Sequence, residues 1–216
     1  MLTLALDAAT YTGSVALLHG ARVLAQRDVA MRGEREERLM PAVDATLREA
    51  GVTVRDLRRI VCGEGPGSFT SLRIAGSIAK GVALGLGVPL YAVSSLWLIV
   101  AGASPALPAG AYLAGLDAMR GDRYVQRIVV ESDGGVRETE DPSLISSAAM
   151  AELAMRERVV GPGLATDLAP HARGATLLDL DAMRPIDLAS WEPRYGRLAE
   201  AQVKWEAAHG RPLAAG

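Results

Sequence analysis

The chain has one cysteine, Cys62, among 216 residues. That excludes an internal disulfide framework and any zinc site built on several cysteines. There is no excess of one charge either: 23 basic and 25 acidic residues leave a net charge of −2. An autonomous nucleic-acid binder neutralises phosphates with a cationic surface, so this balance argues against one. The three histidines, His19, His171 and His209, are too dispersed to form HxxxH or HExxH, so a transition-metal site within the chain is not expected. GxSxG, the P-loop pattern and GxGxxG are all missing. The first residues, Met1 to Asp7, lack the basic start of a signal peptide. The one long uncharged stretch, Gly81 to Gly102, is broken by Pro89, Ser94 and Ser95, and reads as a buried helix, strand and helix rather than a membrane span. A soluble, cytoplasmic protein is expected.

Half of the residues are apolar and 22% are charged, enough for a packed core and too apolar for a disordered chain. Leu2, Leu4 and Leu6 alternate as in a strand with one buried face, and Ser14 to His19 and Arg22 to Val29 read as two more strands. A helix follows from Glu36 to Ala50, with Leu39, Val43 and Leu47 on one face. Then come a strand at Arg59 to Gly63, a helix from Thr70 to Leu86, a strand at Val88 to Val93 and a helix capped by Ser94. The Pro- and Ala-rich run after Ala103 marks a boundary, beyond which a shorter version of the same order begins at Ala111. A last helix is expected from Pro193 to His209. The element order predicts two α/β lobes: residues 1–103, a smaller one over 104–190, and a terminal helix and tail over 191–216 that packs back on the first lobe.

Gly63-Glu-Gly-Pro-Gly-Ser-Phe-Thr70 joins a strand to a helix. Glycines at 65 and 67 admit unusual backbone angles, and Ser68 or Thr70 can cap the helix, whose free N–H groups favour an anion. Two readings stay open: a phosphate or carboxylate site, with Asp7 nearby to orient a metal or water, or a tight turn in which Asp7 caps its own neighbours. The following helix carries only Arg73 and Lys80 as charges between Leu72 and Leu86. Ala75, Ala79 and Ala83 make one small-residue ridge on it, and Gly81 and Gly85 another. Such a helix is either internal or offers one side to a partner. Cys62 reads as core packing, and Asp117 to Tyr124 as a charged turn or the edge of a cleft.

Leu4-Ala-Leu-Asp7, Gly65-Pro-Gly-Ser-Phe-Thr-Ser-Leu-Arg-Ile74, Ala79-Lys-Gly81, Val93-Ser-Ser-Leu96 and Asp117-Ala-Met-Arg-Gly121 together resemble the TsaB (YeaZ) family of tRNA threonylcarbamoyladenosine biosynthesis proteins. The likeness is dense over residues 1–125 and thin afterwards, apart from Glu192-Pro-Arg-Tyr195. It implies the two-lobed actin, Hsp70 and sugar-kinase (ASKHA, ribonuclease H-like) fold. It also implies a non-catalytic subunit that forms a heterodimer with the paralogous transferase TsaD and activates it in the N6-threonylcarbamoyladenosine modification of ANN-decoding tRNAs. A TsaE-like ATPase would join, ATP would be used by the partners, and tRNA would be met through the complex. This chain would carry no catalytic residue, metal or cofactor. In the family, two helices of the first lobe form the partner surface. Carried onto this chain, that surface is Leu39, Val43 and Leu47 with Leu72, Ala75, Ile78, Ala79 and Val82. A homodimer through the same face is expected when the partner is absent. The rival is a small ATP-dependent phosphotransferase of the same fold, using Asp7 and a phosphate loop of Gly65, Gly67, Ser68 and Thr70.

Overall fold

The computed structural model describes residues 1–31, 37–196 and 209. Three antiparallel strands open it: β1 (Leu2–Asp7), β2 (Thr12–His19) and β3 (Arg22–Ala30). Helix α1 (Leu39–Glu49) leads to β4 (Arg59–Gly63), and α2 (Phe69–Leu86) leads to β5 (Leu90–Val93), both strands parallel to β1. The first sheet therefore runs β3-β2-β1-β4-β5. Helix α3 (Ser95–Ala101) follows, with the Ser94 hydroxyl accepting from the Trp97 amide as expected of a cap.

The helix expected from Glu36 begins at Leu39, where the Glu37 carboxylate accepts from the Leu39 and Met40 amides at the positive end of the helix. The alternation in β1 predicts one buried face, but both faces are buried. The row Leu4, Leu17, Ile60 and Leu90 lies against α1 and α2, whereas the row Ala5, Ala16, Val61 and Tyr91 joins the core shared with α3. Within β1, leucines on one side and smaller residues on the other give a period-two pattern even where no face is wet.

The second sheet repeats the scheme. Strands β6 (Gly110–Asp117), β7 (Asp122–Val130) and β8 (Val136–Glu138) form a meander, α4 (Ser147–Leu153) crosses it, and β10 (Val159–Val160) returns parallel to β6. Strand β9 (Ser143–Ser146) adds to β7 without having been legible in the sequence, since Ser-Leu-Ile-Ser shows no alternation. A 3-10 helix at Ala172–Leu177 was also missed. It returns from beyond the second sheet to pack on β1, β2 and α3, and its Ala172 amide donates to the Ser14 hydroxyl at 2.8 Å. Ala172, Gly174 and Ala175 fit there because they are small; sequence periodicity does not report such a fit. The helix expected over Pro193–His209 is absent from residues 193–196, and its remainder, His209 apart, lies outside the described residues. Among the described residues no helix is long and apolar enough to cross a membrane.

His171 fastens the 3-10 helix. Its Nδ1 accepts from the Arg173 amide at 3.0 Å, and its Nε2 lies 3.4 Å from Asp28 on β3. Burial, aided by the Arg173 charge and opposed by Asp28, lowers its pKa from 6.5 to about 4. The ring is therefore neutral at pH 7, and its contact with Asp28 is not an ion pair there. The unfolded chain binds a proton near pH 6.5 that the folded chain takes up only near pH 4, so folding loses stability on acidification across that window. In His171→Asn, whose amide oxygen can keep the Arg173 contact, urea denaturation midpoints should fall less between about pH 6.5 and about pH 4 than in the wild type. An equal fall in both proteins would remove His171 as the cause.

Candidate docking face and interlobe site

Asp7 ends β1 and is wholly buried. Its Oδ2 accepts from the Ser95 hydroxyl at 2.5 Å and its Oδ1 from the Ala9 amide at 3.0 Å. Burial raises its pKa, and these two hydrogen bonds only partly offset that. Gly63 lies directly on it: a Cβ there would stand 1.9 Å from Asp7 Oδ2. The carboxylate thus has no open side from which to orient a metal or water. Ser95 was read from the sequence as part of a helix start, and its bond to a carboxylate 88 positions away had no sequence signal.

The Gly65–Ser68 loop is likewise committed internally. The Gly65 amide donates to Ser95 Oγ at 3.0 Å, and the Ser68 amide to the Ala9 carbonyl at 2.8 Å. A Cβ on Gly67 would meet that same carbonyl oxygen at 2.2 Å. Ser68 holds the cap position of α2 without a side-chain cap bond, its hydroxyl lying 3.0 Å from that of Ser71. Thr70 is exposed. The loop residues expected at an anion site do come together, but two of their amides are spent on the β1–β2 turn and on Ser95. The Tyr11 hydroxyl from that turn reaches Met119 Sδ in the β6–β7 turn, at 3.9 Å. Asp117 accepts from the Met119 amide and so braces its own turn.

Between the lobes lies a cavity of about 490 Å³, walled by Trp97, Glu64, Glu138, Asp141, Asp179 and Arg194, among others. Its buried floor is satisfied: Ser94 donates to Gln126 Oε1 at 2.7 Å, and Gln126 Nε2 donates to the Glu140 carbonyl at 3.0 Å. Burial first, then the Glu64 charge, raises the pKa of Glu138. Four carboxylates against two guanidiniums on the lining disfavour a polyphosphate here.

The expected partner face needs correction. Leu39, Val43, Leu47, Leu72, Ala75 and Ala79 are all buried inside the protomer. Ala75, Ala79 and Ala83 are small because that side of α2 lies down on the first sheet, in one core with Leu4, Ile60 and Leu90. Ile78 and Val82 are half-buried at the margin. The outward side of α2 carries Arg73, Ser77, Gly81, Leu84 and Gly85, with Leu84 74% exposed. A groove of about 450 Å³ opens along it, bounded by Phe69, Arg73, Ile74 and Ile78 and by Glu37 ahead of α1.

Three antiparallel strands, two further strands parallel to the first, helices on both faces, and a smaller second lobe of the same order define a two-lobed protein of the actin, Hsp70 and sugar-kinase (ASKHA) class. The family model for TsaD, tRNA N6-adenosine threonylcarbamoyltransferase, matches residues 30–168. A Bacillus subtilis protein, tRNA threonylcarbamoyladenosine biosynthesis protein TsaB, is 30% identical over 95% of this chain and 98% of its own. The Escherichia coli protein of that name is 39% identical, over 57% of this chain and 53% of its own length. The solved structure of YeaZ from Pseudomonas aeruginosa superposes with a TM-score of 0.76 at 26% identity, covering 89% of this chain and 98% of that one. The chain belongs to the TsaB (YeaZ) family.

The Asp7 network predicts a pH signature. Ser95→Ala removes the hydroxyl that favours the Asp7 carboxylate and leaves the Gly65 amide unanswered, at a cost of about 2–3 kcal/mol. A buried acid whose folded pKa is raised costs stability as pH rises through that value. Without Ser95 the charged form is worse still, so the loss measured by urea denaturation should grow as pH rises above the ordinary carboxylate range. A loss that shrinks as pH rises would show that the Ser95 hydroxyl does not favour the charged form of Asp7.

Proposed function

We propose that this chain is a non-catalytic subunit that pairs with a TsaD-like paralogue and activates it in N6-threonylcarbamoyladenosine modification of tRNA. The observation that carries the proposal is the outward side of α2. Gly81 and Gly85 have ordinary helical backbone angles, and a Cβ on either would meet nothing within 4 Å. Among the described residues nothing requires glycine at these positions, yet each costs about 1 kcal/mol against alanine in a helix. Together with Ser77 they form a shallow seam at i, i+4 and i+8, flanked by Ile74, Ile78 and Val82. Such a seam lets the backbone of a second helix approach closely, and its apolar flanks bury area once covered.

The same reading makes this subunit one without a phosphate site of its own, because the loop amides are bonded within the chain and the interlobe cavity is acidic. ATP use then falls to the partners, including a TsaE-like ATPase, and tRNA is met through the assembled complex in the cytoplasm. Without its partner the chain is expected to self-associate through the same seam.

Substitutions in the seam should separate stability from pairing. Gly81→Ala and Gly85→Ala should each stabilise the isolated chain by up to about 1 kcal/mol in thermal or urea denaturation. Gly81→Arg should leave the fold intact and abolish co-elution with the TsaD-like protein. If Gly81→Arg pairs as tightly as the wild type, the seam is not the docking face. Ala79→Arg is no substitute test, since that position is fully buried and a guanidinium there would disrupt the core.

A further inference from the structure

Between Trp191 and Gly196 the chain leaves the first lobe, crosses the start of α2 and ends on the second lobe. Lys80 Nζ on α2 donates to the Trp191 carbonyl at 2.7 Å, and Pro193 lies over Gly76, where an added Cβ would stand 3.0 Å from its Cγ. Arg194 is held to Glu64 twice: its amide donates to the Glu64 carbonyl at 2.6 Å, and its Nε lies 3.1 Å from the carboxylate. The Arg194 carbonyl oxygen runs so close to Gly65 that a Cβ there would meet it at 2.4 Å. Tyr195 then sets its ring 4.5 Å from that of Phe69, the first residue of α2. Its carbonyl accepts from the Tyr124 hydroxyl on β7 at 3.3 Å, and Gly196, at a φ of +75°, lies against the same Tyr124 ring.

We infer that residues 191–196 are a clasp between the lobes, and that Tyr195 is a positioning residue which sets the first turn of α2 and with it the geometry of the groove that runs into the proposed docking seam at Ser77 and Ile78. Phe69 belongs to both structures. One side of its ring meets Tyr195, the Arg73 guanidinium lies 5.5 Å from its centroid, and both Phe69 and Arg73 line the groove. A partner seated in that groove therefore touches a side chain whose position depends on a strap tied to the second lobe. The clasp stands on these contacts alone. Its bearing on docking rests on the function proposed above.

The test uses the full chain with Tyr195→Ala, Tyr195→Phe and Tyr124→Phe. In the free protein, hydrogen exchange at residues 69–73 and along β7 should rise about tenfold in Tyr195→Ala. Strands β1 and β2 should stay at wild-type rates, and Tyr195→Phe, which keeps the ring, should match the wild type throughout. Tyr124→Phe, which removes the hydroxyl that donates to the strap, should raise exchange at β7 and less at α2. Affinity for the TsaD-like protein should fall about tenfold in Tyr195→Ala and be restored in Tyr195→Phe. Unchanged exchange at both sites, or an equal rise in β1 and β2, would overturn the clasp. Raised exchange with undiminished affinity would overturn its role in docking. Should the wild-type chain not pair with the TsaD-like protein at all, the proposed function fails while the exchange data still decide the clasp.

Discussion

A carboxylate cut off from water at the end of a central strand must be met by donors, and for Asp7 these are the Ser95 hydroxyl and the Ala9 amide. The rest of the first lobe is organised around that requirement. Ser95 opens α3, and its oxygen also accepts from the Gly65 amide, so one side chain ties β1, α3 and the glycine loop together. The loop is pressed against the β1–β2 turn through the Ser68 amide and the Ala9 carbonyl. Its position fixes where α2 begins and which side of α2 faces outward. The carboxylate that the sequence offers for orienting a metal or water instead holds its own loop in place through Ser95.

Helix α2 shows how small side chains serve opposite ends on two sides of one cylinder. The alanines at 75, 79 and 83 let it approach the sheet closely, and each is fully covered. The glycines at 81 and 85 are exposed, and among the described residues nothing packs on them. The helix begins at Phe69, where the chain's own strap and the outward groove meet. The strap and the groove therefore share about one turn of helix, while the interlobe cavity beside it stays acidic and internally satisfied.

Strand and helix order was legible because each element carries its own period, and the Gly65–Thr70 segment stood out because a strand-to-helix turn with two glycines is locally unusual. Strand β9 and the 3-10 helix were not legible. One has no alternation, and the other is held by contacts to Ser14 and Asp28 on strands far away in sequence. The packing of α2 was half legible. A helix apolar nearly all round must hide one side, but its composition does not say which of two small-residue ridges is the hidden one.

From the sequence alone came the two-lobed α/β order, the glycine loop and an α2 with two ridges of small residues, because spacing along a chain is a local property. Only the tertiary structure decided that Asp7 is sealed by Ser95, that the alanine ridge faces inward and the glycine ridge outward, and that Tyr195 closes on Phe69. Each of these pairs residues whose separation in sequence carries no period, so burial and hydrogen bonding, which act through space, had to assign them.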